Sequence, residues 1–472
     1  MTTTDARPVK HNPSPLQVTP LPMPKHKTLT VQPATQPLRG SALVAGDKSL
    51  SHRVALLGAL AEGTTHAEGW LAAEDTLATL RVLRALGVPI AQDGDRITVT
   101  GVGLQGFSAP ADALDCGGSG TTMRLLSGIL AGQPFATTLT GNDALRRRPM
   151  GRIATPLRRM GATIESHVVG QRELPPLTIT GGPLRAIDYT LPIASAQVKS
   201  AVLLAALFAD GPSTVIEAGP ARDHTERMLS AMGAGLTVDG PTIRVVPPTA
   251  PLRPLGDGAG GPFRIPADPS SAAFLVVAAT LVRGSHIRLP DVGLNPTRTG
   301  LFELLQQMGA KISPENALTQ GGEPRGDLQV AGSELNGLPI GGEIVVRAID
   351  EFPILAVAAT QASGRTEVRD AAELRVKESD RIAAVVAGLT ALGAKIEERA
   401  DGFALNGPQR LRGGTVDSAM DHRLAMALAV AALVAEGPVR IERAEVIDDS
   451  FPTFVPLMRA LGAEMAWECE GR

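Results

Sequence analysis

Two short phrases alternate along the chain, and their alternation constrains the fold more than any other feature. The first is a helical apolar pattern that closes in Leu/Met-Gly-Ala/Val and runs into a short β-like stretch. It occurs at Leu86-Gly87-Val88, Met160-Gly161-Ala162, Met232-Gly233-Ala234, Met308-Gly309-Ala310, Leu392-Gly393-Ala394 and Leu461-Gly462-Ala463. Each glycine falls where a helix C-cap belongs, because glycine takes the left-handed conformation at little cost. The second phrase is a helix apolar on nearly every side that ends at a glycine: Val54–Gly63, Met123–Gly132, Val198–Gly211, Ala273–Gly284, Ile354–Gly364 and Leu424–Gly437. A helix apolar all round is buried all round. The first set instead keeps charged faces, as with Glu226 and Arg227, or Glu303 and Gln306. The glycines of each phrase recur every 69 to 84 residues, which makes six similar units.

Each unit therefore holds one buried helix, one amphipathic helix and short strands such as Ile97-Thr98-Val99 or Leu177-Thr178-Ile179. At 472 residues the chain is too long for one ordinary core and suits about two domains. Six units in two domains give three apiece. The expected fold is α/β (α+β), with buried helices inside and sheets outside.

Composition narrows what such a fold does. Lys+Arg 45 against Asp+Glu 48 leaves a formal charge of -3, so no global field draws in nucleic acid or an anionic membrane. Any anion site has to be local. Aromatic residues are only 3%, which disfavours base-stacking platforms. The only cysteines, Cys116 and Cys469, form neither a disulfide framework nor a zinc pattern, and a reducing cytoplasm is expected. The most apolar helices are too short to span a bilayer. Residues 1–27 lack an apolar signal core and carry Pro8, Pro13, Pro15, Pro20, Pro22 and Pro24. They read as a disordered, mildly basic leader, with a transit peptide as the alternative.

The residues before each buried helix carry the functional signal. They read Gly46-Asp47-Lys48-Ser49, Gly117-Gly118-Ser119-Gly120-Thr121, Ala194-Ser195-Ala196-Gln197, Ala267-Asp268-Pro269-Ser270, Ile349-Asp350-Glu351-Phe352 and Met420-Asp421-His422-Arg423. Capping explains the Ser, Asp and Thr residues. It does not explain Lys48, Arg53, Arg124 or Arg423, since a cation at a helix N-terminus opposes the macrodipole by about 0.3–1 kcal/mol. An anion would compensate them, and helix N-termini with free N–H groups are themselves anion sites. If the buried helices of each domain aim their starts at the other domain, a strongly positive cleft results. The amphipathic helices repeat the theme with Arg148-Pro149, Arg222-Asp223-His224, Asn295-Pro296-Thr297-Arg298 and Lys377-Glu378-Ser379-Asp380-Arg381. Lys377 and Arg381, four apart, are expected to share a helix face. His224 and His422 read as structural histidines, because neither has a second ligand at helical spacing, and no metal is expected.

These motifs resemble those of a known family. Gly46-Asp47-Lys48-Ser49-Leu50-Ser51-His52-Arg53 is similar to the lysine-serine-arginine motif of the enolpyruvyl transferases, and Gly118-Ser119-Gly120-Thr121-Thr122-Met123-Arg124 to their glycine-rich loop. Arg146-Arg147-Arg148-Pro149-Met150, Ser195-Ala196-Gln197, Asp350-Glu351, Arg375-Val376-Lys377-Glu378-Ser379-Asp380-Arg381 and Asp421-His422-Arg423 resemble the 5-enolpyruvylshikimate-3-phosphate synthases in order and spacing, from about Thr28 to Glu464. The resemblance implies two domains of three units, an inside-out α/β barrel pair: 28–47 with 265–472, and 48–264. It implies transfer of the enolpyruvyl group of phosphoenolpyruvate to shikimate 3-phosphate by a monomer without a cofactor. It also implies roles. Lys48, Ser49, Arg53, Ser195, Ala196, Gln197, Arg222, Asp350 and Lys377 would hold shikimate 3-phosphate. Lys48, Gly120, Arg148, Gln197, Arg381 and Arg423 would hold phosphoenolpyruvate, with Arg146 competing with Arg148. Asp350 is the expected base, and Glu378 and Lys48 are both candidate proton donors. This chain departs from the family with Gly118 where asparagine is frequent and Asp449 where some members carry lysine. The other readings are an enolpyruvyl transferase acting on UDP-N-acetylglucosamine, whose reactive loop cysteine has no counterpart at Cys116, and a non-catalytic phosphometabolite-binding protein.

Overall fold

The six apolar helices form, and each starts on the residues singled out above. They run Lys48–Leu60, Gly120–Ala131, Ala196–Ala206, Pro269–Leu281, Phe352–Gln361 and His422–Leu433 in a computed structural model that describes residues 27–256 and 260–469. Their starts are set by caps. Asp47 accepts from the Leu50 N–H at 2.9 Å, Ser119 from Thr122 at 3.1 Å, Asp268 from Ser270 at 2.8 Å and Asp421 from Arg423 at 2.9 Å. The helices extend further upstream than their apolar runs, because the polar first turns are helical too. The Lys48 helix begins before Val54 and stops at Leu60, short of Gly63.

The amphipathic helices are Glu74–Ala85, Gly151–Met160, His224–Ala231, Gly300–Gln307, Arg381–Ala391 and Phe454–Ala460. Gly87, Gly161, Gly233, Gly309, Gly393 and Gly462 follow them, all in the left-handed region. One charged face fails. Glu226 turns into the interior and is buried rather than exposed.

Each unit folds over a four-stranded sheet. Leu114–Asp115 runs parallel to Ala136–Thr140, which pairs antiparallel with Arg172–Thr180, and that strand pairs antiparallel with Thr163–Val169. Six such sheets occur among the described residues, and all follow this order of one parallel and two antiparallel pairings. Alternate strand residues pack inward on the apolar helices. Burying a Leu or Phe side chain contributes about 1.5–3 kcal/mol.

The interior falls into two apolar clusters. One spans Leu50 to Ile265; the other joins Leu29–Val44 to Ala267–Met465. The chain passes between them twice. At the crossing, the Asp47 N–H donates to the Pro266 carbonyl at 2.8 Å and the Asp268 N–H to Ala45 at 2.9 Å. The crossing segment also runs so close to the turn after the strand Glu62–Glu68 that a Cβ on Gly46 would lie 1.7 Å from the Gly69 carbonyl oxygen, which is why the position is glycine. Residues 1–26, and with them nearly all of the expected leader, lie outside the described residues. Lys27, its last residue, opens the strand Lys27–Val31. Among the described residues, no helix is long and apolar enough to cross a membrane.

Candidate active site

The starts of the inner helices meet between the two clusters, around a cleft of about 650 Å³ lined by Asp75, Gly118 and Arg148 on one side and by Lys377, Glu378, His422 and Asp449 on the other. Asp350, just before the Phe352 helix, is the centre of charge. Arg222 from the opposite side donates to its carboxylate, and Lys377 Nζ and Arg381 Nη1 each stand 3.4 Å from Oδ1. Arg423 Nη2 is 3.8 Å from Oδ2, and its Nη1 donates to the Asp350 carbonyl at 3.2 Å. Burial pushes the Asp350 carboxyl upward, but Lys377, Arg222, Arg423 and Arg381 outweigh it and hold it well below the usual carboxylate range.

The other cations are arranged alike. Lys48 Nζ pairs with Asp75 at 2.5 Å, and its backbone N–H donates to Asp268 at 3.0 Å. Arg381 is buried between Asp421 at 2.7 Å and Glu378 at 2.6 Å. Arg148 Nη1 reaches the same Glu378 at 3.4 Å across the cleft. Burial raises Glu378, yet Arg381, Arg148, His422 and Lys377 hold it well below its ordinary value. The cleft is thus a lattice of alternating cations and carboxylates rather than the strongly positive cleft expected.

The glycine-rich loop is shaped by arginines. Arg124 Nη1 donates to Gln197 Oε1 at 2.6 Å, and Gln197 Nε2 donates to Thr121 Oγ1 at 3.1 Å. Burial draws Arg124 down to about 9, with Arg148 adding to the effect. A Cβ on Gly120 would sit 2.8 Å from Arg124 Nη1 and 3.0 Å from Arg148 Nη1, so glycine there admits both guanidiniums. Arg148 Nε is buried without a hydrogen-bond partner among the described residues. Arg146 is exposed at the end of the short helix Asp143–Arg146, while Arg148 lines the cleft. On the same side, Arg222 Nη1 donates to Ser49 Oγ at 3.4 Å, and Arg53 donates to Thr225 and Ser200 at 2.8 and 3.0 Å. Ser195 caps the Ala196 helix, its Oγ 3.5 Å from the Val198 N–H.

Lys377, Arg222, Arg381 and Arg423 thus gather on Asp350, and Arg148 faces Glu378, whereas Arg146 stays outside the cleft. One geometric expectation fails. Lys377 follows the 3-10 turn Ala372–Val376 in extended conformation and precedes the Arg381 helix, so the two share a target, Asp350, rather than a helix face. Asp75 carried little signal in the sequence, and Glu351 and Arg298 stood out only as parts of longer motifs. Asp75 looks like an ordinary first-turn acid, and Glu351 like a cap. Glu351 is buried, accepts from Ser270 Oγ and lies 3.5 Å from Arg423 Nη1. Arg298, also buried, joins two caps, pairing with Asp47 at 2.6 Å and Asp268 at 2.9 Å.

His224 is built into the scaffold, whereas His422 lines the cleft. His224 pairs with Glu323 at 2.8 Å, and burial brings His422 down to about 4. No group of three or more His, Cys, Asp or Glu residues suited to a metal occurs among the described residues. The Cys116 thiol is buried and pushed up to about 12 by that burial, which leaves it a poor nucleophile.

Comparison with known proteins agrees with this geometry. The family model for EPSP synthase (3-phosphoshikimate 1-carboxyvinyltransferase) matches residues 33–458. The 3-phosphoshikimate 1-carboxyvinyltransferase of Desulforudis audaxviator is 51% identical over 440 residues, covering 93% of this chain and 100% of the relative. That of Halorhodospira halophila is 52% identical over 436 residues, covering 92% and 96%. The solved EPSP synthase from Acinetobacter baumannii superposes with a TM-score of 0.83 at 44% identity, covering 94% of this chain and 100% of its own. The enolpyruvyl transferase NikO from Streptomyces tendae, at 18% identity, 95% coverage of this chain and 100% of its own, and a TM-score of 0.74, shares the fold. The sixfold repeat, the two inside-out halves and the match over nearly the whole chain have one common explanation: the chain belongs to the EPSP synthase (3-phosphoshikimate 1-carboxyvinyltransferase) family.

Proposed function

We infer that this enzyme transfers the enolpyruvyl group of phosphoenolpyruvate to the 5-hydroxyl of shikimate 3-phosphate and releases phosphate. The observation that carries the reading is the gathering of Lys377, Arg381 and Arg423 on Asp350 and of Arg148 and Arg381 on Glu378, with Lys48 on Asp75 at the edge of the same cleft. Two polyanionic reactants need such a set, with arginines giving bidentate contacts to carboxylate and phosphate. In this reading Lys48, Ser49, Arg53, Ser195, Ala196, Gln197, Arg222, Asp350 and Lys377 hold shikimate 3-phosphate. Lys48, Gly120, Arg148, Gln197, Arg381 and Arg423 hold phosphoenolpyruvate. The two halves, 28–47 with 265–472 and 48–264, act as the domains that bring these groups together; their separate apolar clusters support the division. The enzyme works as a cytoplasmic monomer, with one chain supplying every group named.

The chemistry is addition followed by elimination, with no change in oxidation state. Asp350 takes the proton of the 5-hydroxyl as the oxygen attacks C2 of phosphoenolpyruvate, while C3 gains a proton and becomes a methyl. The C–O bond to phosphate then breaks as the methyl loses a proton. Asp350 is held strongly ionised by its cations, which makes it a weak base until substrate anions share them. Lys377, Arg222, Arg381 and Arg423 all turn to substrate in this scheme, and Asp350 gains basicity where the hydroxyl lies. Glu378 starts ionised and has to take up a proton before giving one to C3. Lys48 is therefore the favoured donor to C3. Holding both reactants makes the step effectively unimolecular.

Phosphate release from phosphoenolpyruvate, followed with each acceptor, tests the assignment. Release is expected with shikimate 3-phosphate and not with UDP-N-acetylglucosamine. The reverse preference, or binding of shikimate 3-phosphate without release, would overturn it.

A further inference from the structure

Lys199 is completely buried on the inner helix Ala196–Ala206, and the chemistry above does not use it. An ammonium in the interior is unfavourable unless acceptors and anions replace its lost water. Here they do. Nζ meets Glu217 Oε1 and Glu226 Oε1, each at 2.6 Å, and donates to the Ala221 carbonyl at 3.3 Å. Three points of the single segment 217–226 thus end on one ammonium. Swapping a buried ion cluster for apolar side chains is frequently neutral or stabilising, so stability alone does not account for the lysine.

What the segment carries does account for it. Arg222 directly follows Ala221, and its guanidinium reaches Ser49 and Asp350. Thr225 and Ser200, the neighbours of Glu226 and Lys199, accept from Arg53, and their hydroxyls are 2.8 Å apart. Ser195 and Gln197 stand at the start of the helix that bears Lys199 itself. We propose that Lys199 is a positioning residue for the acceptor phosphosugar, tying segment 217–226 to the Ala196 helix so that Arg222 and Arg53 face the ligand beside Ser195 and Gln197. This rests on the assignment of those four residues to shikimate 3-phosphate.

Steady-state kinetics of the full chain test it. Lys199→Met removes the tether but leaves Glu226, whose Oε2 has no partner among the described residues even now, buried without its cation. The informative variant is therefore K199M/E226M, which restores an apolar interior and still leaves the segment untied. Its thermal midpoint is expected to match that of the wild type. Its KM for shikimate 3-phosphate should rise about tenfold or more, with kcat and the KM for phosphoenolpyruvate within about threefold. Glu217→Gln, which weakens one tether at a partly exposed side chain, should raise the same KM by about threefold. An unchanged KM for shikimate 3-phosphate in the folded double variant overturns the proposal, as does an equal rise in both KM values. If the double variant does not fold, an unchanged KM in Glu217→Gln does so. Wild-type enzyme that releases no phosphate would instead overturn the function assigned above.

Discussion

Four cations surround Asp350, and that crowding sets what one carboxylate does. Asp350→Ala leaves Lys377, Arg222, Arg381 and Arg423 in place for the proposed substrate anions while removing the proposed base. Turnover in phosphate release should fall by about 10²–10⁴-fold, with shikimate 3-phosphate still bound in calorimetry. Near-normal turnover would take Asp350 out of the mechanism. Asp449 works in the opposite sense. It keeps an exposed edge, yet partial burial, with Asp75, Asp448 and Glu74 nearby and Lys48 opposing, pushes its carboxyl up to about 6. Its folded value lies above the ordinary one, so the group is neutral below that pH and negative above it. At pH 8 it therefore adds a negative charge beside the anion site. Because its edge stays wet, the effect is screened to about 0.7 kcal/mol, roughly threefold. Asp449→Asn should lower the KM for phosphoenolpyruvate by that factor at pH 8 and leave it unchanged at pH 5. An effect of equal size at both pH values would remove ionisation of Asp449 as its cause.

At the scale of the element, the site is made by helix starts held at close quarters. The Gly120 and Ala196 helices pack so tightly that a Cβ on Gly128 would lie 2.2 Å from the Ala201 carbonyl oxygen. Gly128→Ala has to push apart two helices that carry Gly120, Arg124, Ser195 and Gln197. It should cost about 1–3 kcal/mol in urea denaturation. Gly182→Ala, with nothing within 4 Å of the added carbon, should be near neutral. Equal stability of the two variants would contradict the packing. This scale was also the most legible in the sequence. Helix caps, apolar faces and left-handed glycines are local, so Asp47, Ser119, Asp421 and the glycines from Gly87 to Gly462 could be placed from spacing alone. What spacing does not encode is which helix starts meet. Arg222 and Asp350 are 128 residues apart in sequence, and Lys199 looks like one polar interruption of an apolar run. Glu226 was misread for the same reason, since its inward turn depends on a lysine of another helix.

At the scale of the molecule, a chain with a formal charge of -3 concentrates its cations where two apolar clusters face each other. The crossing strands make this possible. They start the Lys48 and Pro269 helices side by side, and Arg298 bridges the caps of both from within the interior. In the proposed function these gathered helix starts form the substrate site. A crystal structure of the chain with shikimate 3-phosphate bound tests it most directly. The ligand's phosphate is expected within hydrogen-bond distance of Ser195 and the start of the Ala196 helix, with the ring hydroxyls turned toward Asp350. A ligand bound outside this cleft, or one whose phosphate lies between Arg148 and Arg381, would contradict it.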